Sequence, residues 1–137
     1  MIKQYIIVRS DCPTIDGSSI SPQKLAVQVS HASMAFLAHM IMEHKGVKVD
    51  SELKEWFDDC YTKIILRAKN LNEMNKVIRK AEENGFVENK DFFCIKDVCR
   101  TELLPDDGEQ TCFTAIGFRP MDENKLTPVV KRLQLYK

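Results

Sequence analysis

Residues 21–44, SPQKLAVQVSHASMAFLAHMIMEH, constrain the fold of this 137-residue chain more than any other stretch. Leu25, Val29, Ala32, Phe36 and Met40 recur at three- and four-residue steps, which places them on one apolar stripe of a helix. Ser21 offers an N-cap oxygen and Pro22 suits the first helical position, so the helix is expected to start there and run to about His44. A stripe of that length needs an apolar layer to cover it. Ile2–Arg9, IKQYIIVR, supplies one, being dense in Ile, Tyr and Val as in a strand buried on both faces.

The segment SDCPTIDGSSISP between them is rich in turn residues, with Pro13, Gly17 and Pro22. After a break at Gly46, SELKEWFDD reads as a short helix capped by Ser51, and TKIILRA as a second strand. Asn70 to Gly85 opens on an Asn cap and closes on Gly, with Leu71, Met74, Val77, Ile78 and Ala81 on one face. Phe92–Lys96 reads as a third strand, Thr111–Phe118 as a fourth, and Lys131–Tyr136 as a last edge strand. The order β-α-α-β-α-β-β predicts an α/β layer fold in which helices cover a mixed sheet. With no repeat or low-complexity linker, residues 1–137 read as one domain.

Lys24, Gln28 and His31 recur at the same helical steps and share a face of their own. A lysine at a helix start opposes the helix dipole, at a cost of about 0.3–1 kcal/mol that a functional role would explain. The second polar concentration is IKDVCRTELLPDDGEQTCFTAIGFRP, where Asp97, Arg100 and Thr101 lie between two strands and Thr111 follows the turn Pro105 to Gly108. Loops at the ends of elements are where α/β folds place their sites, so these residues facing Lys24 and His31 would form one polar pocket.

Twenty basic and twenty acidic residues leave no net charge, so any nucleic-acid contact needs a local basic patch. Lys76, Arg79 and Lys80, on the polar face of the Asn70–Gly85 helix, are the candidate phosphate contacts. Five cysteines (Cys12, Cys60, Cys94, Cys99, Cys112) are an odd number without CxxC pairs, which favours a reducing cytoplasm over a disulfide framework or zinc cluster. Cys99 beside Arg100 reads as an incidental thiol rather than a nucleophile. His31, His39 and His44 lack a consistent metal-ligand spacing, and no apolar run approaches the roughly 20 residues of a bilayer span. No metal, cofactor or membrane is expected.

Three pieces in order, KLAVQVSHA (Lys24 to Ala32), DVCRTELLP (Asp97 to Pro105) and QTCFTAIGF (Gln110 to Phe118), resemble the type-two peptidyl-tRNA hydrolases of archaea and eukaryotes. The opening VRSD and closing LQLYK are similar too, so the resemblance covers nearly the whole chain. It implies a three-layer αβα domain with a mixed four-stranded sheet, usually a homodimer. The activity it implies is metal-independent hydrolysis of the ester between a peptide and the 3′ end of tRNA. By the resemblance Lys24 and Asp97 are catalytic, Thr111 is the site threonine, and Gln28, His31 and Thr101 line the cleft with Arg100 beside them. On its own chemistry His31 reads as a half-buried histidine packing the helix on the sheet. Ester hydrolysis needs a positioned water and stabilisation of an oxyanion, roles that suit Asp97 and Lys24.

The chain departs from the family pattern at four places. Gln23 replaces a glycine before the lysine, Val98-Cys99 replaces Ala-Gly after the aspartate, PDDGEQ is longer and more acidic than the usual turn, and Phe118 replaces a proline. A Cβ at a former glycine disfavours positive φ and close approach. The second reading is therefore a catalytically weak member that holds RNA, a nucleotide or a protein in the same cleft.

Overall fold

The computed structural model describes residues 1–44 and 46–137; the side chain of His44 lies outside the described set. The elements are β1 (Ile2–Arg9), α1 (Pro22–His44), α2 (Ser51–Asp58), β2 (Lys63–Ala68), α3 (Leu71–Glu83), β3 (Phe92–Asp97), β4 (Cys112–Phe118), β5 (Met121–Asp122), α4 (Glu123–Val130) and β6 (Gln134–Leu135). The sheet order is β3-β4-β1-β2-β6, with β5 pairing the start of β1. β1 runs parallel to β2 and antiparallel to β4, and β3 is antiparallel to β4, so the sheet is mixed as expected. The four strands that the resemblance implies are joined by two two-residue strands, β5 and β6, which makes six.

β1 is central because its side chains are apolar on both faces. Ile6 and Val8 meet Ala32 of α1, with Leu25 and Val29 packed alongside. Farther along α1, Phe36 joins Leu53 and Trp56 of α2 against Ile2 and Phe93. On the other face Ile7, Leu66, Ile116 and Phe118 meet Met74, Val77 and Ala81 of α3 and Leu126 and Val129 of α4. Helices on both faces make the three layers.

Gly117 sets the height of α1 on the sheet. A Cβ there would lie 2.0 Å from the Ala32 carbonyl oxygen, so the helix backbone rests on β4 at this point. The residues one and two turns earlier, Gln28 and Lys24, then reach the end of β3.

Several boundaries differ from expectation. Asp50, not Ser51, caps α2, accepting from the Leu53 N–H at 2.8 Å. Asn70 caps α3 as its sequence predicts. Thr111 lies just outside β4, and the expected edge strand at 131–136 shortens to Gln134–Leu135. α4 was not anticipated, since Pro128 inside it reads as a helix breaker. α1 is long and apolar enough by composition to cross a membrane, contrary to the sequence reading, but here it forms a layer of the fold, with Gln28, Ala32 and Phe36 buried.

Candidate active site

The two polar segments meet at the end of the sheet where β1 finishes. Ser21 joins them: its backbone N–H and hydroxyl donate to Glu102 at 3.0 and 2.6 Å, while its Oγ accepts from the Lys24 N–H at 3.2 Å. One serine thus caps α1 and ties it to the loop after β3. The Lys24 ammonium lies 3.0 Å from Asp97 Oδ2 and donates to Thr101 Oγ1 at 3.2 Å. Both ends of the ion pair are largely withdrawn from solvent, with side-chain exposures of 15% and 9%.

Asp97 is held by more than its ion pair. Gln28 Nε2 donates to Oδ2 at 2.9 Å and the Cys99 N–H donates to Oδ1 at 2.7 Å. Gln28, fully buried, is itself oriented by the Thr114 hydroxyl, which donates to its Oε1 at 2.6 Å. Thr114 can reach inward because the β3–β4 register shifts beside it: Ile95 pairs Ala115 while Lys96 pairs Phe113. Burial works to raise the Asp97 pKa, but the donors Cys99 N–H, Lys24 and Gln28 outweigh it and hold the carboxyl below its ordinary 3.8. Cys99 takes the left-handed conformation, φ 62°, that turns its N–H back onto the carboxylate. A glycine would adopt that angle without strain, which accounts for the glycine of the family pattern.

The other expected site residues fall in different places. Thr101 and Arg100 are exposed at the mouth, Thr101 in contact with Lys24. His31 is exposed on α1, which corrects the half-buried packing role. Thr111 makes no hydrogen bond to Lys24, Gln28 or Asp97. It lines a separate cavity of about 220 Å³ with Leu71, Asn75, Lys96 and Asp107, because its neighbour Cys112 takes the position opposite Asp97 in the ladder. Lys76 and Lys80 line a groove of about 150 Å³ with Arg132 and Leu133 on the α3 layer, away from Asp97, and Arg79 is exposed on the same helix. The acidic turn folds back on the sheet: buried Asp106 accepts from Arg9 at 2.7 Å and from the Phe113 N–H at 2.8 Å, while Asp107 and Glu109 stay exposed. Among the described residues no cluster of three or more His, Cys, Asp or Glu is placed to hold a metal.

Glu102 and Thr114 were missed. Glu102 carried a faint signal, following Thr101 opposite a predicted N-cap, whereas Thr114 depends on a register shift that has no sequence signature. A cavity of about 580 Å³ lies at the other end of α1, lined by Phe36, His39, Met40, Phe93 and Arg119 among others, and contains none of these residues.

The family model for peptidyl-tRNA hydrolase PTH2 matches residues 2–136. Similar proteins include peptidyl-tRNA hydrolases of Saccharolobus islandicus (strain L.S.2.15 / Lassen #1) and Saccharolobus solfataricus, each 32% identical over 135 residues, covering 98% of this chain and 99% of the relative. That of Sulfolobus acidocaldarius is 26% identical over 134 residues, covering 98% of this chain and 99% of its own. With a family match across almost its whole length and relatives of this identity, the chain belongs to the PTH2 family of peptidyl-tRNA hydrolases.

Proposed function

We propose that this PTH2 member hydrolyses the ester joining peptide to tRNA at a site built on Asp97 and Lys24. The observation that carries the reading is the carboxylate itself: an ionised group, mostly buried, held by three donors from two segments, α1 and the loop after β3. With its pKa depressed, Asp97 serves as a fixed acceptor that orients the attacking water rather than as a strong base. The Lys24 ammonium has three donors, of which Asp97 and Thr101 take two; the third is left for the oxyanion that forms as water attacks the ester carbonyl. Because Thr101 Oγ1 accepts from Lys24, its own proton is free for substrate. The carbon–oxygen bond to the 3′ ribose then breaks, and the departing oxygen takes the proton lost by water.

In this reading Gln28 is a positioning residue and Arg100 and His31 contact substrate at the rim. Thr111 stands behind the ladder position opposite Asp97, and Thr101 supplies the hydroxyl beside Lys24. Lys76, Arg79 and Lys80 contact tRNA phosphates, supported by the groove that Lys76 and Lys80 share with Arg132. We take residues 1–137 as one domain that works as a homodimer in the cytoplasm, where its substrate arises. The exposed apolar residues Val27, Met34, Ile41 and Met42 along α1 support a second copy there. The binding-module alternative is disfavoured, because a cleft that only held RNA would not require an aspartate fixed by three donors.

Release of labelled peptide from peptidyl-tRNA tests the reading. Wild type should turn over, and Asp97→Asn should fall by about a hundredfold at unchanged melting temperature. Lys24→Ala should lose turnover likewise. A well-folded wild type with no turnover, or an Asp97→Asn variant as active as wild type, contradicts it.

A further inference from the structure

Three of the five cysteines converge beside the site from distant parts of the chain. Cys12 follows β1, Cys112 opens β4, and the two are buried in one cluster with Ile20 and Leu103. Both are free thiols, and the Cys12 thiol donates to the Arg9 carbonyl at 3.6 Å. Cys99 packs against the same cluster, and its thiol donates to the Asp97 carbonyl at 3.4 Å. Cys12 also reaches an open cavity of about 460 Å³, which it lines together with Asp11, Pro13, Gly17 and Ser18, while Cys112 is fully buried behind it.

We propose that Cys12 and Cys112 form a redox-active dithiol, a modification site for small hydroperoxides, whose oxidation disturbs the hold on Asp97. The two thiols are unequal. The neighbouring Cys112 thiol, together with the Arg9 guanidinium and against burial and the Asp11 and Asp106 carboxylates, holds Cys12 below the ordinary thiol range. The same contact and burial push Cys112 up. Cys12, which lines the open cavity, is the nucleophile, and fully buried Cys112 is the thiol that keeps its proton until it resolves the intermediate.

The chemistry closes without any other group. The Cys12 thiolate attacks one peroxide oxygen and the O–O bond breaks. This gives a Cys12 sulfenic acid and an alkoxide or hydroxide, which takes up a proton. Cys112 sulfur then attacks the Cys12 sulfur, the S–O bond breaks, and water leaves with the Cys112 proton. The dithiol loses two electrons and the hydroperoxide gains them.

Formation of the bridge acts on the site through two neighbours. Cys112 is the ladder partner of Asp97, and Cys99, whose N–H holds Asp97 Oδ1, rests on the pair. Contracting a sulfur–sulfur contact to a bond of about 2 Å draws the start of β4 toward the loop after β1. Cys99, already in a left-handed conformation, loses the surface it packs on.

The test is disulfide mapping of the folded, full-length protein after treatment with hydrogen peroxide, with free thiols alkylated before digestion. The expected result is a Cys12–Cys112 linked peptide that reduction abolishes, absent from the Cys12→Ser and Cys112→Ser variants. Alkylation of both residues as free thiols, while exposed Cys60 oxidises, overturns the proposal. The effect on the site rests on the peptidyl-tRNA hydrolase reading, so turnover is followed in parallel. Oxidised wild type should lose turnover and regain it on reduction, and Cys12→Ser should resist the loss. A bridge that forms while turnover is unchanged overturns the coupling to Asp97. A reduced wild type without turnover counts against the hydrolase reading instead, and the peptide map still decides on the bridge.

Discussion

Two ion pairs stand at the same end of the sheet and behave differently. Arg9 and Asp106 lie 2.7 Å apart, each with about 7% of its side chain exposed, and Lys24 and Asp97 lie 3.0 Å apart at 15% and 9%. The Arg9 guanidinium is engaged on several sides: Nε donates to Asp11 at 2.6 Å, and one terminal nitrogen donates to both Asp106 and the Phe113 carbonyl. Asp106 in turn accepts the Phe113 N–H, so the pair anchors the PDDGEQ turn to β1 and β4. Lys24, by contrast, keeps a donor in reserve and faces the exposed Thr101. A closed pair secures a turn, while a pair with a spare donor at a mouth is ready for substrate. The longer turn therefore need not obstruct the cleft, because its first acidic residue is turned inward on Arg9.

The largest test of that contrast falls on the closed pair. Arg9→Met leaves Asp106 buried and unpaired, and the expected loss is about 3–5 kcal/mol of stability, read as a lower melting midpoint. Turnover per folded molecule should change little, since Arg9 touches neither Lys24 nor Asp97. A variant that melts like wild type but loses turnover would place Arg9 in the site and erase the distinction.

Gln28→Ala probes the open pair from behind. It removes one donor from Asp97 and leaves the Thr114 hydroxyl only the Ile95 carbonyl, 3.4 Å away, at an expected cost of about 1–3 kcal/mol. Turnover should drop with it, and Gln28→Glu, a shape-conserving change that replaces the donor with a like charge, should be worse in turnover than Ala. Equal turnover in all three proteins would show that the orientation of Asp97 does not depend on Gln28. Ser21→Ala should have the smallest effect, about 1 kcal/mol of stability from a lost cap. The hydroxyl half of the Glu102 tether goes as well, while the backbone N–H stays, so a rise in KM at constant kcat is expected; unchanged kinetics would limit Ser21 to the helix end.

The legible parts of this molecule were those written in local periodicity and caps. The stripe of α1, the Ser21 oxygen on the Lys24 N–H, the Asn70 cap and both faces of β1 all follow from neighbours in sequence. The conjunction of Lys24, Gln28, Asp97 and Thr101 was readable through ordered motifs rather than through spacing. α4 was hidden because a proline sits inside a short helix whose apolar residues, Leu126, Val129 and Val130, find their partner only in α3 and the sheet. Thr111 and Thr114 exchanged prominence for a register reason. The shift between Ile95 and Lys96 decides which face each threonine takes, and pairing across strands fixes that, not the sequence of either strand alone. The inward turn of Asp106 depended likewise on Arg9, far away in the chain.

The account centres on Asp97 being held ionised by donors from α1 and from the loop after β3. A carboxyl whose pKa is lowered by folding adds stability that is complete above its unfolded value and disappears as pH falls through the folded pKa. The most direct measurement is the titration of the Asp97 carboxyl carbon by NMR, in wild type and in Gln28→Ala. The prediction is a midpoint below 3.8 in wild type that moves upward in the variant. A wild-type midpoint at or above 3.8, or one indifferent to the loss of Gln28, would contradict the claim that these donors hold the carboxylate.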